Sequence, residues 1–398
     1  MSKNIQTNLI HAAGHETAKT IAKSVSTPKV LPIYMTSVYN FDDVDSLEAV
    51  YAGEAAGYVY SRDSNPGLLA ACEMVATAEG SESAEVFGSG MAAITSAIIA
   101  NIKAGEHIVS SPVLYGGVYN FFKNELPKFG VEVDFVDFSN PEDIKAAMKP
   151  NTKIVYTESI INPLMNVCDI TAVAEIAHAG GAEFIIDNTF ATPSVVRPMD
   201  HGADIVCYSV TKYMGGHSDL IGGAVAGSKE DVAKIHKTLA MYGCLMGPME
   251  AWLLIRSMRT LDMRMKKHSE NALKVAEFFE KHPKIEKVHY AALPSSPDHA
   301  LAEKLFTDGM CGGMMAIDLA GGEAAAVKLM EVMPNIKFVP SLASYSTTMS
   351  YPARTSHRAY NEAELKAAGI TMGTLRISIG MEEAEDIIAE FAAGLDQL

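Results

Sequence analysis

A lysine that closes an apolar strand is poorly placed to serve as a solvated cation. Lys212 comes shortly after Asp204-Ile205-Val206-Cys207-Tyr208, a β-prone apolar run, with Ser209 and Thr211 just before it and Gly215-Gly216 soon after. An amine held near a desolvated site loses part of its preference for the charged form and becomes a nucleophile toward carbonyls. The neighbouring hydroxyls can donate to a phosphate. Together these features meet the needs of a Schiff-base site for pyridoxal 5'-phosphate (PLP). The competing reading is a strand-end lysine on the surface, where most lysines lie.

Two further stretches could serve the same chemistry. Asp187 ends the apolar run Phe184-Ile185-Ile186 and precedes Asn188-Thr189. A carboxylate at the end of a buried strand is costly unless it is paired or hydrogen-bonded. Facing a pyridine nitrogen, it would keep that nitrogen protonated; the alternative is an aspartate that caps the following turn. Gly88-Ser89-Gly90 lies between an apolar strand and a helix starting near Met91, whose free N–H groups favour an anion. Ala93 stands where a dinucleotide fingerprint needs its third glycine. Near the turn Ser64-Asn65-Pro66-Gly67, Arg62 with Tyr58 and Tyr60 could clamp a phosphate or could simply be a solvated turn.

The elements that must position these residues follow a strand–helix rhythm from about residue 68 to 226. Strands are expected near 84–87, 107–110, 131–136, 153–157, 183–186, 204–208 and 222–226, separated by helices such as 68–78, 91–102, 115–126 and 172–179. This predicts an α/β fold with a mainly parallel sheet covered on both faces and ligands at the carboxyl ends of its strands. Beyond about residue 247 two long helices and a mixed pattern predict a smaller α/β domain; residues 1–60 show no clear period.

Composition excludes several other classes. A net charge of −16 argues against nucleic acid as a partner, and no apolar run is long enough to span a membrane. The N-terminus lacks the apolar core of a signal peptide, so a cytoplasmic location is expected. The 5 cysteines are scattered without C-x-x-C spacing, which predicts reduced thiols and no metal site.

From about Leu31 to its C-terminus the chain resembles the Cys/Met-metabolism family of fold-type I PLP enzymes, the group of methionine and cystathionine γ-lyases, cystathionine γ-synthase and homoserine sulfhydrylases. The most specific segments are Asp187-Asn188-Thr189-Phe190, then Ser209-Val210-Thr211-Lys212-Tyr213 with Gly215-Gly216-His217. The resemblance implies a seven-stranded sheet, an extended arm over 1–60, a large PLP-binding domain over 61–250 and a small domain over 251–398. It implies that Lys212 carries PLP and later moves protons between Cα and the cofactor or Cβ, and that Asp187 pairs with the ring nitrogen. Ser209, Thr211 and the backbone of Gly90 and Met91 would bind the phosphate, and Asn162 would lie near the ring hydroxyl. Tyr115 would stack on the ring and assist the leaving group, while Arg376, with Ser341 close by, would hold the substrate α-carboxylate. Tyr60 and Arg62 would grip the phosphate of a neighbouring subunit's cofactor, within a homotetramer built of dimers that share sites.

The implied reaction is elimination of a thiol and ammonia from methionine, homocysteine or cysteine to leave a 2-oxo acid. The alternative is γ-replacement on an activated homoserine ester, as in O-acetylhomoserine sulfhydrylase or cystathionine γ-synthase. A catalytically idle PLP-fold binding protein would lack Lys212 or Asp187; both are present, with Tyr115 and Arg376. Three departures bear on substrate choice: Gly117 where bacterial methionine γ-lyases carry cysteine, Pro340 where cystathionine γ-lyases carry glutamate, and the altered loop Ala343–Ser350. The following Tyr351-Pro352-Ala353-Arg354-Thr355-Ser356-His357 keeps the family's pattern.

Overall fold

The structure, a computed structural model, describes residues 4–12, 28–356, 358 and 361–398. His357 therefore lies outside the described residues. Seven strands build the larger sheet: β1 (Ser83–Phe87), β2 (His107–Ser110), β3 (Glu132–Phe135), β4 (Thr152–Glu158), β7 (Glu183–Asp187), β8 (Ile205–Tyr208) and β9 (Gly223–Gly227). Between β4 and β7 a small hairpin is formed by β5 (Ile160–Ile161) and β6 (Asn166–Val167). The order across the sheet is β1-β9-β8-β7-β4-β2-β3, with β9 antiparallel to both neighbours and every other pair parallel. The mainly parallel seven-stranded sheet is as the sequence predicts.

Its inner strands β7 and β8 are apolar without alternation because both faces are covered. In β7, Phe184 and Ile186 point into one core with Ala70, Met74 and Val75 of the helix Pro66–Glu79. Ile185 points into the opposite core with Ile94 and Ile98 of the helix Gly90–Asn101. β9 consists of Gly223-Ala224-Val225-Ala226-Gly227, and the small residues matter locally. A Cβ at Gly223 would run into the carbonyl of Ser89, so glycine there lets the turn into the helix Gly90–Asn101 settle against the sheet.

A five-stranded sheet follows: β10 (Ile285–His289), β11 (Met314–Leu319), β12 (Lys337–Phe338), β13 (Thr348–Ser350) and β14 (Thr374–Ser378), in the order β10-β11-β14-β13-β12. This is the smaller C-terminal sheet domain. Two helices pack beside it or lead into it, Pro248–Met258 and Leu261–Glu280. No helix among the described residues is long and apolar enough to cross a membrane.

Three local expectations are corrected. Residues 115–126 do not form one helix: an α-helical turn over Gly116–Asn120 widens to i→i+5 bonding over Phe121–Glu125 and tightens to 3₁₀ over Leu126–Phe129. Pro127 explains this, since it lacks an N–H and its ring crowds the carbonyl four residues back. Helices also form at Ile5–His11 and Val44–Tyr51, where no period was evident. Each is opened by a side-chain cap, Asn4 accepting from the Thr7 N–H at 3.1 Å and Asp43 from the Ser46 N–H at 2.6 Å. Lastly, β13 lies inside the loop that departs from the family pattern.

The two sheets are tied together beside Lys212. His268, on the helix Leu261–Glu280, is fully buried; its Nδ1 bonds the Ile379 carbonyl at 2.7 Å and its ring meets Tyr213 edge-on, centroids 5.1 Å apart. Among the described residues its Nε2 is buried without a partner, and burial pushes the imidazole down from 6.5 to about 4. Between those two values the unfolded chain holds a proton that the native protein does not, so stability falls as pH drops through that window. Thermal unfolding should show a loss approaching about 1.4 kcal/mol per pH unit from this group. His268→Gln should remove that part of the slope.

Candidate active site

The carboxyl ends of β4, β7 and β8 open on a cavity of about 580 Å³. It is lined by Gly90, Met91, Tyr115, Asn162, Asp187, Ser209, Thr211, Lys212, Ser341 and Arg376, which come from both sheets and the loops between them. Ten residues singled out in the sequence thus meet in one place. Tyr60 and Arg62 do not line it. They pack on each other instead, the Arg62 guanidinium 5.3 Å from the Tyr60 ring centroid, with Tyr60 43% exposed.

Lys212 follows β8 into the cavity, and its Nζ donates to Ser341 Oγ at 3.2 Å. Burial, followed by the charge of Arg376, lowers its affinity for a proton. Arg376 sits in the middle of β14 and is buried; its Nε donates to Ser350 Oγ at 3.1 Å and its Nη1 to Asn162 Oδ1 at 2.8 Å. Among the described residues no carboxylate forms an ion pair with it, and burial pushes the guanidinium down to about 10. A desolvated guanidinium with only neutral partners is a receptor for a carboxylate.

Asp187 and Glu158 face each other across β7 and β4, in register. Asp187 accepts from the Thr189 N–H at 2.8 Å, and among the described residues no cation pairs with it. Glu158 accepts from two loops at once, from the Tyr115 N–H at 2.6 Å and the Asn162 N–H at 3.1 Å. Burial raises both carboxyls, and the Asp187 charge adds to the effect on Glu158. Glu158 thereby fixes the backbones that carry Tyr115 and Asn162, and through Asn162 it bears on Arg376. The sequence reading passed over it. Its one signal was a carboxylate closing an apolar strand, the same signal that drew attention to Asp187.

At the other end of the cavity the helix Gly90–Asn101 begins, with the Ser89 hydroxyl accepting from the Ala92 N–H at 3.0 Å. A Cβ on Gly90 would lie 2.6 Å from the Ser209 Cβ, so only glycine lets Ser209 close on this helix terminus. Thr189 Oγ1 accepts from the Ser209 N–H at 2.8 Å and fixes that approach. Thr211 differs from Ser209: its hydroxyl is engaged with the backbone of Gly222, donating to the carbonyl at 3.2 Å and accepting from the N–H at 3.0 Å. The residues present fit PLP, with a glycine-made cradle at a helix N-terminus for a phosphate, a buried carboxylate without a cation for a pyridinium, and a desolvated lysine for the aldehyde.

Sheet order, cavity and donor set define a fold-type I PLP-dependent enzyme. Residues 6–396 match the Cys/Met metabolism PLP-dependent enzyme family, and the chain belongs to it. It is 43% identical to an L-methionine gamma-lyase of Treponema denticola over 92% of each chain. An O-succinylhomoserine sulfhydrylase of Pseudomonas aeruginosa is 37% identical, covering 92% of this chain and 90% of the relative. Among solved structures, an O-acetylhomoserine (thiol)-lyase from Campylobacter jejuni holding N'-pyridoxyl-lysine-5'-monophosphate superposes with a TM-score of 0.93 at 29% identity, covering 99% of this chain and 100% of that one.

Proposed function

We propose that the chain is a carbon–sulfur lyase that eliminates a thiol and ammonia from methionine, homocysteine or cysteine, leaving a 2-oxo acid. The observation that carries the reading is the opening of Lys212 and Arg376 on one cavity, one a desolvated amine and the other a desolvated guanidinium without a carboxylate. PLP, when bound, supplies the electron sink that makes the substrate's Cα–H acidic. Arg376 orients the amino acid by its α-carboxylate, with Asn162 and Ser350 holding the guanidinium plane. Lys212 Nζ, on a flexible stem, would take the proton at Cα, deliver it to the bound cofactor and, neutral again, take the proton at Cβ, the two deprotonations that γ-elimination requires. Ser341 Oγ fixes the resting place of that amine. Tyr115, half-exposed and anchored through its N–H by Glu158, gives a proton to the departing sulfur.

For the cofactor, Asp187 is assigned to the ring nitrogen and Asn162 to the ring hydroxyl. The Gly90 and Met91 N–H groups and the Ser209 hydroxyl are assigned to the phosphate. Thr211 joins them only by giving up a bond to Gly222. Tyr60 and Arg62 are assigned to the phosphate in a neighbouring subunit, within a cytoplasmic tetramer of site-sharing dimers. The arm over 1–60, the PLP domain over 61–250 and the small domain over 251–398 complete the reading, with limited proteolysis as the check on those boundaries. If sites are shared, Arg62→Ala should loosen PLP, and mixing it with Lys212→Ala subunits should restore roughly a quarter of wild-type activity, since half the dimers are hybrids with one intact site each. Hybrids without activity would count against the shared site.

The second reading, γ-replacement on a homoserine ester, is favoured by kinship with the O-succinylhomoserine sulfhydrylase. A product assay on PLP-loaded protein separates the two. Oxo acid and free thiol from methionine, homocysteine or cysteine alone establish the lyase. A thioether formed only from O-acetyl-L-homoserine plus thiol, with little oxo acid, establishes replacement.

A further inference from the structure

The most deeply buried carboxyl among the described residues is Glu79, and the catalytic reading above gives it no task. It ends the helix Pro66–Glu79, where the helix dipole is negative and opposes a further negative charge. Burial raises its carboxyl to about 8, and the cation that bears on it, Arg197, is already paired with Asp200. A carboxyl in such a place is costly unless its oxygens are engaged, and both are. One accepts from the Met199 N–H at 3.3 Å and the other from the Tyr208 hydroxyl.

Tyr208 closes β8 and is fully buried; its oxygen also accepts from the Asn188 side-chain amide at 3.1 Å. That amide is equally buried. It donates a second time to the Val196 carbonyl at 2.9 Å, and its oxygen accepts from the Ser159 hydroxyl at 2.7 Å. Backbone bonds run alongside, from the Asn188 N–H to the Cys207 carbonyl at 2.9 Å and from the Ser159 N–H to the Asp187 carbonyl at 3.0 Å. One satisfied network thus runs from a helix end across the ends of β8, β7 and β4, and none of Glu79, Tyr208 and Asn188 lines the cavity. Polar networks satisfied in this way hold their members in a single arrangement.

What this arrangement holds is the residue before Asn188. The Asp187 carboxylate is hydrogen-bonded within its own turn, to Thr189, so its direction follows the backbone over 187–189. Asn188 grips that backbone from behind, Tyr208 orients Asn188, and Glu79 orients Tyr208. We propose that Glu79 is a positioning residue which, through Tyr208 and Asn188, keeps the Asp187 carboxylate directed at the cofactor's ring nitrogen. This rests on the assignment of Asp187 to that nitrogen. An apolar residue at position 79 would fill the space but leave the Tyr208 hydroxyl without its acceptor, and so loosen Asn188.

The test reads the ring nitrogen itself, through the nitrogen-15 chemical shift of ring-labelled PLP bound to the whole chain over a pH series. Tyr208→Phe removes the hydroxyl that joins Glu79 to Asn188. The ring nitrogen should then lose its proton about one pH unit lower, a loss of proton affinity of about tenfold and the size of one hydrogen bond. Glu79→Leu should do the same, and Glu79→Gln, which keeps an acceptor for the hydroxyl, should restore most of the affinity. The double variant Glu79→Leu/Tyr208→Phe separates positioning from folding. It removes both members of the bond, so its Tm should lie above that of Tyr208→Phe, which strands a buried carboxyl. Its ring nitrogen should stay about tenfold weaker, no worse than in either single variant, because the two side chains act along one path. A wild-type titration in Tyr208→Phe, or a shift that recovers with Tm in the double variant, overturns the proposal. Should Glu79→Leu not fold, Tyr208→Phe and Glu79→Gln decide it. Asp187→Asn supplies the reference for losing the carboxylate. If it lowers the nitrogen's proton affinity and Tyr208→Phe does not, the positioning role fails and the assignment of Asp187 stands. If Asp187→Asn leaves the titration unchanged, the assignment fails and the positioning role with it.

Discussion

Lys212→Ala is expected to lower kcat/KM by about 10⁴-fold or more, because one side chain serves both as the cofactor's attachment point and as the mobile base. Borohydride should fix PLP to the wild-type chain at Lys212 and fail to fix it to the variant. Lys212→Arg should be as inactive as the alanine form, since a guanidinium keeps its proton and can act neither as nucleophile nor as base. The geometry adds a pH signature. Burial and the nearby Arg376 charge favour the neutral amine, so the limb on which activity rises with pH should fall below the ordinary lysine value of 10.5. A Lys212→Ala protein that keeps more than about one part in a hundred of wild-type activity would place the base elsewhere.

Much of the fold was legible because a parallel sheet writes itself into sequence as short apolar runs separated by helical stretches. β7 and β8 are such runs, and their ends fixed Asp187 and the approach to Lys212. Strand direction was not legible. Gly223-Ala224-Val225-Ala226-Gly227 carries no mark of running antiparallel, which depends on the loop over 209–222 bringing the chain back from β8 without a crossover helix. Nor was the broken helix after Tyr115, where apolar periodicity continues and Pro127 alone signals the change.

The site divides in the same way. Residues that do chemistry at strand ends could be named, since βα turns gather there whatever the loops do. Glu158 was not named, because its partners are backbone N–H groups, one of them 43 residues away, and backbone donors leave no trace in a motif. Arg354 and Arg358 reach the cavity only because the smaller sheet docks against the larger one, and no local pattern encodes that docking. The same docking brings Arg376 from β14 to Asn162, 214 positions earlier in the chain.

Arg376 therefore offers a sharp separation of binding from folding. Arg376→Gln should raise KM for any α-amino acid substrate by about a hundredfold, since losing one partner of a buried charge pair costs about 2–5 kcal/mol. The α-carboxylate does not change during the reaction, so the interaction is the same in ground and transition states and kcat should fall much less. Stability should move the other way or stay level. The guanidinium is desolvated in the free protein, which pushes it from 12.5 to about 10 and corresponds to about 3 kcal/mol of cost at neutral pH. Glutamine removes that cost while keeping hydrogen-bonding capacity toward Asn162 and Ser350, whose bonds contribute about 1 kcal/mol each. The expected result is a Tm equal to or above wild type together with a KM about two orders of magnitude higher, and methionine or an ester should give the same ratio. A variant that unfolds, or one whose loss lies in kcat with KM intact, would show that Arg376 holds the two sheets together or acts on the reacting atoms, in place of receiving the substrate's carboxylate.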